Sequence, residues 1–214
     1  MDGKTDSKEL ALSYIKDRIV TCDMAPGSAI NVNEVAELLG ISKTPVREAL
    51  LELAYDGYVT VNPRKSTTVS KISLQDLKDI YDARSLVETH ILRTLGDEIG
   101  SNLDTLRILH DRWQHMDLTD GSRETYLGFL QADLNFHQTL IRLYPNRHLV
   151  RYCQELIFQS QRFWYMALFN NNMEAVREEH LKILDALIGG NPQAAAQTLQ
   201  KHINVSKALS ILSE

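Results

Sequence analysis

The chain has 214 residues, 43% of them apolar and 24% charged, with a formal net charge of −5. That is room for one large domain or two modest ones with a real core, and it excludes disordered and collagen-like classes. No apolar run approaches the ~18 residues of a membrane span, MDGKTDSKEL has no apolar leader core, and Cys22 and Cys153 form no CxxC, so a cytoplasmic protein with two reduced thiols is expected.

Leu10, Tyr14, Ile15 and Ile19 recur at helical spacing up to the break at Pro26-Gly27. Asn31 or Asn33 can cap a short helix carrying Val35, Ala36, Leu38 and Leu39, and Gly40 supplies a turn. Ser42 is a suitable N-cap for the next helix, and Pro45 falls in its first turn, where a missing N–H costs nothing. Val46, Ala49, Leu50 and Leu53 form its apolar face, and Gly57 closes it. Residues 58–61 and 67–70 then read as a hairpin.

Helix, short helix, Gly turn, capped helix and hairpin is a winged helix-turn-helix pattern, in which the third helix enters the major groove of DNA. Its first residues, Ser42, Lys43, Thr44 and Arg47, are the candidate readers; Lys43 and Arg47 lie one turn apart on the same side. Arginine can take guanine O6 and N7 bidentately, and lysine can do so less specifically. Arg64 and Lys65 stand at the wing tip, within reach of phosphates or a minor groove. Residues 1–71 balance 9 Lys/Arg against 10 Asp/Glu, but residues 41–71 are locally basic.

From Ser73 onward only helical periodicity is present. It predicts helices over 73–95, 102–116, 122–143, 147–169, 173–188 and 192–212, joined by short loops as an antiparallel six-helix bundle. The expected domains are therefore 1–72 and 73–214, joined by a linker short enough to couple them mechanically. Asp133 and His137 are four residues apart on the stripe Leu130, Leu134, Leu140, Ile141; His180 lies among Val176, Ile183 and Leu184, and His202 among Leu199 and Ile203. One carboxylate and three imidazoles facing inward suit Zn²⁺ or a similar first-row divalent ion. Arg84 interrupts the stripe Leu77, Tyr81, Val87, Ile91. A buried guanidinium needs an anion, either Glu88 one turn on or the carboxylate of a ligand.

The stretch PGSAINVNEVAELLGISKTPVREALLELAYDGYVTVNPRKSTTVSKIS resembles the winged helix of GntR-type bacterial transcription regulators, most specifically at TPVREAL. The resemblance gives Arg47 a DNA-contacting role. Lys43 stands where the family usually has arginine, Asn33 where some members have a DNA-contacting arginine, and Ser66 where the wing usually has glycine. DIYDARSLVETHIL, ADLNFHQTL, EEHLKILDALIGGN and LQKHI resemble the all-helical FCD effector domain of the FadR-like branch, with six helices suggesting its VanR-like subgroup. That resemblance implies metal ligands at Asp133, His137, His180 and His202, with Zn²⁺, Ni²⁺ or Mn²⁺ as the ion. It also implies a small organic-acid effector, a homodimer and a palindromic operator, and no membrane partner. The competing reading is a metal-dependent enzyme using the same Asp/His site, although no HExxH, Walker or GxGxxG motif is present.

Overall fold

A computed structural model describes residues 2–62, 66–71, 73–166 and 173–212. It divides into two compact units, Met1–Ser73 and Leu74–Glu214. In the first, α1 (Asp2–Val20), α2 (Val32–Leu39) and α3 (Lys43–Tyr55) are joined by a three-stranded antiparallel sheet of β1 (Ala29–Ile30), β2 (Val59–Val61) and β3 (Thr67–Val69). The strand order is β1-β3-β2, with Ala29 opposite Thr68 and Thr60 opposite Thr68 on the other edge. β2 and β3 match the expected hairpin. β1 was not expected: two residues carry no periodicity, and it is a strand only because β3 pairs with it.

The core of this unit is Ala11, Ile15 and Ile19 of α1 against Val46, Ala49, Leu50 and Leu53 of α3, with Tyr58 and Val69 beneath. The face of α3 is the one the sequence indicates. On α1 the buried row starts from Ala11, not Leu10, which is 47% exposed; on α2 only Val35 and Ala36 are buried, and Leu38 faces solvent. The α2 cap is Asn31, whose side-chain oxygen accepts the backbone N–H of Asn33 at 3.0 Å while its amide donates to Glu34 at 2.7 Å. Asn31→Ala removes that cap and should lower stability by about 1 kcal/mol in urea denaturation. Gly40 ends α2 in the left-handed region (φ 64°), with its N–H returned to the last turn, as a glycine C-cap requires. Ser42 has the extended N-cap backbone, but its hydroxyl makes no capping bond.

In the second unit, α4 (Leu74–Thr94), α6 (Leu103–Gln114), α7 (Arg123–Arg142), α8 (Arg147–Met166), α9 (Met173–Ile188) and α10 (Pro192–Leu212) correspond to the six expected helices. The expected end of the fourth at 169 lies outside the described residues. A five-residue helix, α5 (Asp97–Ser101), occupies part of what the sequence suggests is a separator between Gly96 and Gly100. α4 packs on α8 and α10, α7 on α8 and α4, and α9 on α6 and α10. Leu77, Tyr81 and Ile91 of α4, Trp113 of α6, Phe136 and Leu140 of α7, Ile183 and Leu187 of α9 and Leu199 and Ile203 of α10 are all buried. The termini of these helices are set locally. Ser122 caps α7 by accepting the Thr125 N–H, and Asn191 accepts the Ala194 N–H at the start of α10, directly before Pro192. No helix among the described residues is long and apolar enough to cross a membrane.

Candidate DNA-reading surface and metal centre

At the start of α3, Ser42, Lys43, Thr44 and Arg47 are all exposed, while Pro45 and Val46 between them are buried. The helix therefore presents one polar edge and anchors itself by the other. Neither Lys43 nor Arg47 has an ion-pair partner among the described residues, so both cations are available to an external anion. An open cleft of about 640 Å³ joins Arg47 to Asn31, Asn62, Ser66 and Thr67. The N–H of Asn62 donates to the Ser66 carbonyl at 3.2 Å and closes the base of the hairpin tip. Arg64 and Lys65, expected at that tip, lie outside the described residues.

In the second unit the structure brings Asp133, His137, His180 and His202 together from α7, α9 and α10. One ligand atom from each lies within 4.8 Å of all the others. The His180 and His202 Nε2 atoms are 3.4 Å apart. Asp133 Oδ1 lies 3.4 Å from His180 Nε2 and 3.8 Å from His137 Nε2. Donor atoms ~2.0–2.1 Å from a tetrahedral ion are ~3.4 Å apart along an edge, so the observed spacings suit such an ion. The three imidazoles are buried, and Asp133 is partly open. His90, His110, His115 and His148 take no part; His110 and His115 pair with Asp185 and Asp111 near the surface.

The protons of the cluster point the same way. Glu88 Oε2 lies 2.6 Å from His137 Nδ1, and an ionised carboxylate can only accept, so Nδ1 carries the hydrogen. In the neutral ring, Nε2 of His137 is then a bare lone pair, buried without a hydrogen-bond partner among the described residues and facing the Asp133 oxygen. Two acceptors turned toward each other in a buried site repel, and a cation between them removes the conflict. Burial, foremost, and the nearby Arg84 guanidinium push the His180 imidazole well below the ordinary histidine range, so it is neutral and able to ligate.

Arg84 is 3% exposed. Of the two anions the sequence offered it, Glu88 is in place: Arg84 Nε donates to Glu88 Oε1 at 2.7 Å, and Nη1 donates to Ser160 Oγ at 2.7 Å. Glu88 thus bridges the guanidinium and His137. Burial alone would raise the Glu88 carboxyl, but Arg84 and His137 outweigh it and hold it down at about 2. Tyr81, one turn before Arg84, is pushed up to about 12 by burial, and its hydroxyl pairs with Ser210.

Sequence reasoning missed Ser160 and Glu179. Glu179 Oε2 lies 2.8 Å from His202 Nδ1. Nothing in the spacing signals that pair, because Glu179 is the neighbour of His180 in the chain yet reaches the ring of His202 on another helix.

Residues 9–69 match the model for bacterial regulatory proteins of the gntR family, and residues 79–205 match the FCD domain. An HTH-type transcriptional regulator from an unstable DNA locus of Streptomyces ambofaciens is 30% identical over 94% of this chain and 84% of its own length. The HTH-type transcriptional repressor RspR of Escherichia coli is 26% identical over 86% of this chain and 80% of its own. In fold, the chain is similar to the crystal structure of a GntR transcriptional regulator from Rhodococcus sp. RHA1, with a TM-score of 0.75 at 20% identity, covering 98% of this chain and 99% of that one.

Proposed function

Because this chain belongs to the gntR family of bacterial regulatory proteins and carries an FCD domain, it is a transcription regulator and not a metalloenzyme; on that footing we propose that it is a cytoplasmic, ligand-responsive repressor. Residues 1–72 are the DNA-binding domain, and residues 73–214 bind the effector and dimerise. The homodimer sets two α3 helices on a short palindromic operator, as two-fold symmetry favours. Ser42, Lys43, Thr44 and Arg47 contact base edges and phosphates, and Arg64 and Lys65 extend the contact from the hairpin. The observation that carries the DNA reading is the exposed Arg47, without an ion-pair partner among the described residues, one turn from Lys43 and at the mouth of a cleft shared with the hairpin.

Asp133, His137, His180 and His202 hold one divalent ion per chain. Zn²⁺ is the best match to three imidazoles and a carboxylate, with Ni²⁺ or Mn²⁺ as alternatives. Such an ion supplies positive charge, and by expanding beyond its four protein ligands it can take the carboxylate of a small organic acid. Arg84 is the cation assigned to that same acid, and its engagement with Glu88 ties it to the ligand cluster. Effector binding then shifts the balance between arrangements of the dimer that fit the operator and those that do not.

Operator binding tests the reading. Arg47→Ala should weaken binding to the specific duplex by about 1–3 kcal/mol, with a much smaller change on a scrambled duplex. Wild-type operator affinity in that variant would remove α3 from its reading role. Melting temperatures across a panel of organic acids, with and without chelator, test the second half. An acid that binds the folded protein through the ion raises the melting temperature only while the ion is present.

A further inference from the structure

A neutral imidazole can turn only one bare nitrogen toward an ion, so something must decide which nitrogen keeps its proton. The three histidines of the cluster are held in two different ways. His180 is gripped by rings: it stacks on Phe136 with centroids 3.8 Å apart and meets the edge of Trp113 at 4.2 Å. Its Nδ1 is buried and finds no hydrogen-bond partner among the described residues. His137 and His202 are held by carboxylates instead, Glu88 at 2.6 Å and Glu179 at 2.8 Å, each on Nδ1. Glu88 is itself fixed, since its second oxygen accepts from Arg84.

We infer that Glu88 and Glu179 are positioning residues of the metal centre, each accepting the Nδ1–H of one ligating histidine and so leaving its Nε2 bare toward the cluster. The inference rests on the metal reading of the cluster. Carboxylates behind ligating histidines orient the ring and raise its basicity, and their loss typically costs about 10–100-fold in metal affinity. Glu179 is the cleaner probe, because it is partly exposed and anchors no buried cation. Glu88 needs a substitution that keeps its volume and leaves an oxygen for Arg84.

The test uses the full-length chain labelled with ¹⁵N-histidine. Long-range ¹H–¹⁵N spectra of the metal-free protein report the tautomer of each ring, and competition with a chromophoric chelator reports Zn²⁺ affinity. In the wild type, His137 and His202 should be protonated at Nδ1. Glu179→Ala should move His202 toward the Nε2-protonated form and lower Zn²⁺ affinity about 10–100-fold, with His137 unchanged. Glu179→Gln, whose amide oxygen still accepts, should recover most of both. Glu88→Gln has one amide oxygen for two donors; with that oxygen kept by Arg84, its NH2 faces His137 Nδ1, so His137 should move toward the Nε2-protonated form with His202 unchanged. A Glu179→Ala protein with His202 still protonated at Nδ1 overturns the positioning role, whatever its affinity, and so does one whose Zn²⁺ affinity stays within about twofold of wild type. A wild type that takes up no Zn²⁺ overturns the metal reading itself, a failure seen before any variant is made.

Discussion

Replacing Arg84 with alanine should destabilise the protein by about 3–5 kcal/mol, the cost of breaking a buried ion pair from one side. Arg84 and Glu88 are both almost wholly buried, and the guanidinium bonds Glu88 at 2.7 Å. Without it, the Glu88 carboxylate loses the guanidinium and, among the described residues, keeps the His137 hydrogen bond. Arg84→Met/Glu88→Gln should be less damaging than Arg84→Ala, because no charge is then left stranded. Urea denaturation of the two variants beside wild type measures the difference. If Arg84→Ala melts like wild type, the pair contributes nothing to stability. Effector affinity in the same variant separates the structural role from the ligand role: a large loss of stability with unchanged affinity would remove Arg84 from effector recognition. The pH dependence has a definite sign. The Glu88 carboxyl is held down at about 2 against an ordinary value of 4.5. Its contribution is therefore complete above the ordinary carboxylate range and fades as pH falls toward 2.

The double substitution His180→Ala/His202→Ala should abolish metal binding. It leaves Asp133 and His137, one carboxylate and one imidazole, and removes the two Nε2 atoms that stand 3.4 Å apart. Wild type, loaded with Zn²⁺ and passed through a desalting column, should keep one ion per chain by elemental analysis, and the double variant none. Removing His180 also vacates the space between Phe136 and Trp113, so the variant is expected to be less stable. A second readout avoids that ambiguity. A ligand at 100 times its dissociation constant adds about 2.7 kcal/mol to the folded state. Zn²⁺ should therefore raise the melting temperature of wild type and leave that of the folded double variant where it was. Full metal content in the double variant would exclude the site.

Much of this protein is legible from residue spacing. The buried face of α3 follows from Val46, Ala49, Leu50 and Leu53, and the same periodicity pushes Ser42, Lys43, Thr44 and Arg47 outward. Asp133 and His137 are neighbours in any helix, because four residues make about one turn. His180 and His202 lie on apolar stripes, so each had to face an interior. Periodicity assigns a side chain to a face but does not say which face of which other helix it meets. That His180 and His202 share one centre with Asp133 is decided by how α9 packs on α10 and where both lie relative to α7. The choice of Glu88 as the partner of Arg84, with Ser160 from α8 as a second acceptor, was equally a matter of packing. The His137–Glu88 and His202–Glu179 pairs join residues 49 and 23 positions apart, and contacts at that range leave no trace in local spacing. β1 is the same case in the backbone: two residues have no pattern of their own, and only the free edge of β3 makes them a strand. Local chemistry thus determined the elements and their inward faces, while tertiary packing alone decided which inward-facing polar groups meet, because a buried charge or lone pair is tolerated only where the fold supplies its partner.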